Sequence, residues 1–191
     1  MRGNKRLFLM LFVACSAAGY GFAGYFGHFP GGYTGEDWRL GAAVVGFVFG
    51  AVTGAVAGLL QWAALRGFGR PGGGRLVLAV AGAFAITHAF LDVRSTDLES
   101  LFLGVGLAGG ALLGLLHALA YGRGARRALR WVVGGGLSWG VGLWVSDRLL
   151  HGPASEFMMN HTYDGLAVGL LNGAVFAFLH VQEPTKIAEA G

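Results

Sequence analysis

The residues of this chain best equipped for chemistry are few, uncharged and regularly spaced. Gln61, His117 and Asn172 each close a run of small and aliphatic residues. Gly54-Ala55-Val56-Ala57-Gly58-Leu59-Leu60 leads to Gln61, Gly110-Ala111-Leu112-Leu113-Gly114-Leu115-Leu116 to His117, and Gly165-Leu166-Ala167-Val168-Gly169-Leu170-Leu171 to Asn172. The three polar ends stand 56 and 55 residues apart. Two amides and an imidazole at one repeat position offer hydrogen bonds to neighbouring helices, or a polar site for a solute or headgroup. Inside a membrane each such bond contributes about 0.6–2 kcal/mol. No carboxylate accompanies them, which argues against a proton relay or cation pump at this level.

Other side chains carry ligand chemistry. His88 and His117 sit in apolar segments, where histidine can ligate haem or chlorophyll. Counting about 1.5 Å per residue places the two roughly 10 Å apart along the membrane normal. That spacing disfavours one shared haem and leaves separate pigments; no cofactor is required by the sequence. Met158-Met159-Asn160-His161 offers thioether and imidazole groups suited to Cu(I), although interfacial packing explains the same residues and no metal site is assigned. Gly136-Leu137-Ser138-Trp139-Gly140 matches the G-x-S-x-G pattern. That pattern needs a strand–turn–helix setting to make a nucleophile, and here it lies inside an apolar span. No catalytic residue is assigned. Cys15 is the single cysteine, so no intrachain disulfide forms.

These residues must be positioned by membrane helices. The chain has 191 residues, 54% hydrophobic and 13% charged, with a mean hydropathy of +0.59. Soluble domains carry about 25% charged residues. Six apolar segments, near 7–24, 40–65, 75–92, 100–121, 130–147 and 162–181, are long enough to cross a bilayer core. The four prolines fall between or after them. Eleven of the 14 basic residues lie on one side of these segments and eight of the ten acidic residues on the other. The positive-inside rule then places both termini in the cytoplasm of a bacterial inner membrane. The net charge of +4 reflects this topology and not a nucleic-acid partner. Met1–Cys15 has the outline of a lipoprotein signal, and the better reading is an uncleaved first helix.

The expected fold is all-α: a single transmembrane domain of six helices, arranged as three pseudo-repeated helical hairpins with glycine-zipper even helices. The repeats run about 6–66, 75–122 and 130–181, and 182–191 forms a cytoplasmic tail. Gly50, Gly54 and Gly58, Gly106, Gly110 and Gly114, and Gly165, Gly169 and Gly173 fall at four-residue spacing, each set on one helix face. Such faces let backbones approach closely. The even helices are expected to make the inner contacts, with the odd helices outside.

Gly58-Leu59-Leu60-Gln61-Trp62-Ala63-Ala64-Leu65-Arg66 resembles a phrase, G-x-x-Q-W-x-x-L-R, that ends a helix in a loose group of uncharacterised bacterial multi-pass membrane proteins. That resemblance implies a multi-pass fold and no particular activity. In size and span count the chain is also similar to the S-components of energy-coupling-factor importers, which dock a partner through small residues of the first helix; Ala14, Ala17, Ala18 and Gly21 match that role. The first functional expectation is a non-catalytic accessory or scaffold subunit that packs on partner helices, or on its own copies, and binds lipid or pigment. The alternative is a small-solute binder or transporter using Gln61, His117 and Asn172.

Overall fold

Long proline-free apolar stretches leave the backbone no partner but itself, and each becomes a helix. The computed structural model describes residues 4–27, 38–70, 73–94, 98–150 and 157–182. Its six helices are α1 (Lys5–Gly27), α2 (Trp38–Gly67), α3 (Gly74–Arg94), α4 (Leu98–Ala120), α5 (Ala125–Leu149) and α6 (Phe157–Gln182). Lys5–Phe26, Ala43–Gly67 and Met159–Gln182 are long and apolar enough to cross a membrane, and Gly74–Ala89 and Gly106–Ala120 are shorter apolar stretches. Most of the aromatic loop after α1, most of the 151–161 segment and the tail after residue 182 lie outside the described residues.

Each helix packs on its chain neighbours and α6 closes on α1, so the six form a ring. The broadest interfaces are α2–α3, α4–α5 and α6–α1. The expectation that even helices meet one another is not met among the described residues. Their glycines are spent on odd helices instead. A Cβ at Gly54 would lie 2.7 Å from the Phe84 Cβ and 2.9 Å from the Ala81 Cα of α3. At Gly110 it would land on the Gly135 carbonyl of α5, and at Gly165 on the Tyr20 carbonyl of α1. Gly58, Gly114 and Gly169 meet Val77, Trp131 and Ala17 in the same manner.

Bulk explains the arrangement. A ring of six helices leaves an axis that glycine cannot fill, and aromatic residues of the odd helices fill it. The rings of Tyr20 (α1), Phe84 (α3) and Trp139 (α5) meet edge to face, with centroids 5.0, 5.4 and 6.1 Å apart. This is the favoured geometry for aromatic clusters. The outer surface of every helix also carries large apolar side chains. Met10, Val52, Leu78, Leu119, Leu137 and Phe178, one per helix, are 54–72% exposed. An apolar belt of that extent suits lipid and not water.

Candidate functional site

Just off the aromatic axis, neutral polar side chains from four helices bond to one another. On α2, Gln61 donates from Nε2 to Ser16 Oγ at 3.0 Å and to the Tyr20 hydroxyl at 3.4 Å, both on α1. Tyr20 donates in turn to Asn172 Oδ1 on α6 at 2.9 Å. Asn172 Nδ2 donates to Ser138 Oγ on α5 at 2.9 Å, and the Ser138 hydroxyl donates to the Gly135 carbonyl at 3.0 Å. Every bond points the same way, from α2 through α1 and α6 to α5, an order in which hydrogen bonds polarise one another. All five side chains are buried.

Helix spacing sets these positions. Ser16 and Tyr20 are four residues apart on one face of α1, the face that receives the α6 glycines: a Cβ at Gly173 would stand 2.8 Å from the Ser16 Cβ. That close approach brings Asn172 within reach of Tyr20. In the Gln61-Trp62 phrase, Gln61 turns inward, while Trp62 lies half-buried under the Arg66 guanidinium, 5.2 Å from its ring centroid.

Two of the three sequence-selected residues, Gln61 and Asn172, therefore join one network through Tyr20. His117 is not hydrogen-bonded into it. Its Nδ1 faces the Leu113 carbonyl of its own helix at 3.3 Å, and its ring packs on Phe176 and Trp131 with centroids 4.6 and 5.8 Å apart. The facing carbonyl assigns the neutral ring's proton to Nδ1, so Nε2 carries the lone pair. His117 Nε2 and Gln61 Oε1 are buried without a hydrogen-bond partner. His88 has its Nδ1 2.9 Å from the Phe84 carbonyl and stacks on the Phe84 ring. Its neighbour Thr87 faces Gly109, eight residues before His117 on α4, so the two histidines stand about 12 Å apart in height. Ser138 sits mid-helix with its hydroxyl committed to Asn172 and Gly135.

Sequence reasoning missed a second cluster, at the end of the bundle that holds the start of α1. Trp131 is fully buried there, and the rings of His180, His117 and Tyr121 surround it at 4.8, 5.8 and 6.3 Å. Tyr121 and His180 meet edge to face at 5.0 Å, and Phe12 packs on His180 at 5.5 Å. Two arginines border the cluster, placed by matching helix ends. After α2, Gly69 at φ +65° is followed by Arg70, whose N–H returns to the Leu65 carbonyl at 3.0 Å. After α4, Gly122 at φ +61° is followed by Arg123, whose N–H returns to the Ala118 carbonyl at 2.9 Å. These are Schellman caps, and glycine is the residue that tolerates their left-handed step. Arg70 lies over the Phe8 ring at 4.3 Å and donates to the His180 carbonyl, closing that end of α6. Partial burial lowers its pKa, and the nearby Tyr121 opposes the shift. The signal present in the sequence is the pair of Gly-Arg steps, Gly69-Arg70 and Gly122-Arg123.

Comparison of the chain with protein families, with curated proteins and with solved structures finds no match.

Proposed function

We propose that the chain is a six-span protein of the bacterial inner membrane, both termini cytoplasmic, that serves as a non-catalytic accessory subunit, bracing partner helices and holding lipid. The observation that carries this reading is the Gln61–Tyr20–Asn172–Ser138 network. Its groups are uncharged and buried, and all but Gln61 Oε1 are hydrogen-bonded, which suits a lock on helix register. The aliphatic belt supports membrane residence. Lys5, Arg6, Arg66, Arg70, Arg75, Arg123, Arg126, Arg127 and Arg130 lie at one end, and the described carboxylates Asp147 and Asp164 lie toward the other. That asymmetry supports the orientation. The equivalent approaches of Gly54 to α3, Gly110 to α5 and Gly165 to α1 support three pseudo-repeated units with glycine-zipper even helices. In this arrangement each zipper seals the seam to the next odd helix. Of the first-helix residues that the S-component likeness would use for docking, Ala17 and Gly21 are instead buried against α6, and Ala14 and Ala18 stay exposed. A pigment would use the Nε2 of His117, since its Nδ1 faces the Leu113 carbonyl.

A second reading, a polar site for a small neutral solute, is favoured by the buried, unpartnered Gln61 Oε1 and His117 Nε2. Gln61→Leu, His117→Leu and Asn172→Leu separate the two. The accessory reading expects altered stability or assembly and unchanged solute uptake. Loss of uptake with folding and assembly intact would establish the solute site instead.

A further inference from the structure

The cluster around Trp131 contains polar atoms that the chain leaves unused. Tyr121 Oη and His180 Nε2 are buried and have no hydrogen-bond partner, although their rings touch. His180 is 3% exposed. A buried polar atom without a partner is costly, and two in adjacent side chains mark a place that another molecule completes. The electrostatics give its sign. The fields of Arg70 and Arg123 reach both the Tyr121 phenol and the His180 ring. Arg123 lies over the Tyr121 ring at 5.7 Å. Matching Schellman caps place each arginine directly after the left-handed glycine that ends its own helix.

We propose that Tyr121, His180, Arg70 and Arg123 form a site for a phosphate group, that of an anionic phospholipid headgroup or of a soluble phosphate. The phenol O–H and an imidazole N–H supply two donors, and the guanidinium groups supply charge and forked donors that match phosphate oxygens. Basic pockets between helix ends on the positively charged side of a membrane protein take anionic headgroups. Arg123 is half-buried over Tyr121. This inference deepens the lipid-holding part of the proposed function and rests on the membrane reading.

The test uses the full chain in nanodiscs of phosphatidylcholine, with and without phosphatidylglycerol, and in phosphatidylcholine discs with added inorganic phosphate. The thermal midpoint and the lipid retained in native mass spectrometry are the readouts. Phosphatidylglycerol is expected to raise the midpoint and to be retained in preference to phosphatidylcholine. Tyr121→Phe, which keeps the ring packing, and Arg123→Gln each weaken that retention at least about tenfold, equivalent to about 1.4 kcal/mol. Arg148→Gln, at the opposite end, leaves it unchanged. An equal effect of inorganic phosphate, lost in Tyr121→Phe, assigns the site to a soluble phosphate species. Wild-type lipid preference in Tyr121→Phe, or no response to either phosphate source, overturns the proposal. Co-purification with partner subunits is a separate readout, so the accessory reading survives or fails on its own.

Discussion

Removing one oxygen atom, in Tyr20→Phe, cuts the network at its midpoint. The Phe84 and Trp139 rings, 5.0 and 6.1 Å from the Tyr20 centroid, still meet a benzene ring of the same shape, so packing is preserved. What is lost is the donor to Asn172 Oδ1 at 2.9 Å and the acceptor for Gln61 at 3.4 Å. Gln61 keeps its bond to Ser16 at 3.0 Å, so most of the cost falls on the stranded Asn172 oxygen. Hydrogen bonds between membrane helices average about 0.6 kcal/mol and reach about 1.7. Stranding a buried acceptor costs about 1–3 kcal/mol. Together these put Tyr20→Phe near 1–2 kcal/mol of destabilisation. In Asn172→Leu, Ser138 retains its bond to Gly135, so the stranded group is the Tyr20 hydroxyl. The double variant strands neither group and is expected to cost about 1 kcal/mol less than the sum of the singles. Reversible unfolding in mixed micelles with increasing SDS measures all three. Additivity within about 0.3–0.5 kcal/mol, or a stabilised Tyr20→Phe, would refute the network as a lock.

Three further contrasts follow from the glycines. Gly114→Ala and Gly82→Ala make the same change in two helices, each gaining up to about 1 kcal/mol of helix propensity. At Gly82 the nearest atom to the new Cβ is Leu116 Cδ1 at 3.8 Å, whereas at Gly114 it strikes the Trp131 carbonyl. Thermal unfolding in detergent should show Gly82→Ala neutral or stabilised and Gly114→Ala destabilised by about 1–3 kcal/mol. Gly58→Leu or Gly114→Leu should cost more than Leu59→Ala, because Leu59 is 48% exposed on the outer face; the reverse ranking rejects the packing described. Gly69→Ala and Gly122→Ala meet no atom within 4 Å, so each should cost only the left-handed backbone term, about 1–2 kcal/mol, with Gly→Asn at the same positions recovering part of it.

The helices were legible because their signal is long and local: apolar runs ended by proline, glycine and charge. Gly54, Gly110 and Gly165 were equally visible as faces. What they face was not, because four-residue spacing defines a stripe on one helix and carries no information about its partner. That partner was decided by Tyr20, Phe84 and Trp139, whose bulk claims the bundle axis and displaces the glycines to the seams. Gln61 and Asn172 stood out by breaking the apolar pattern. Tyr20, which joins them, did not, since an aromatic residue in an apolar helix reads as core. His117 occupies the same repeat position as Gln61 and Asn172, yet the aromatic pocket of Trp131 and Phe176 takes it out of hydrogen-bonding company. Arg70 and Arg123 were legible as charges between apolar segments, while their placement beside Tyr121 and His180 depends on two glycine caps and on His180 arriving from a distant helix.

Native mass spectrometry of the full chain, released gently from its own membranes, tests the account's central claim most directly. The accessory reading predicts the chain bound stoichiometrically to larger membrane subunits, with lipid retained. A lone chain or homo-oligomer carrying one stoichiometric small molecule would contradict it and would identify the solute held near Gln61 and His117.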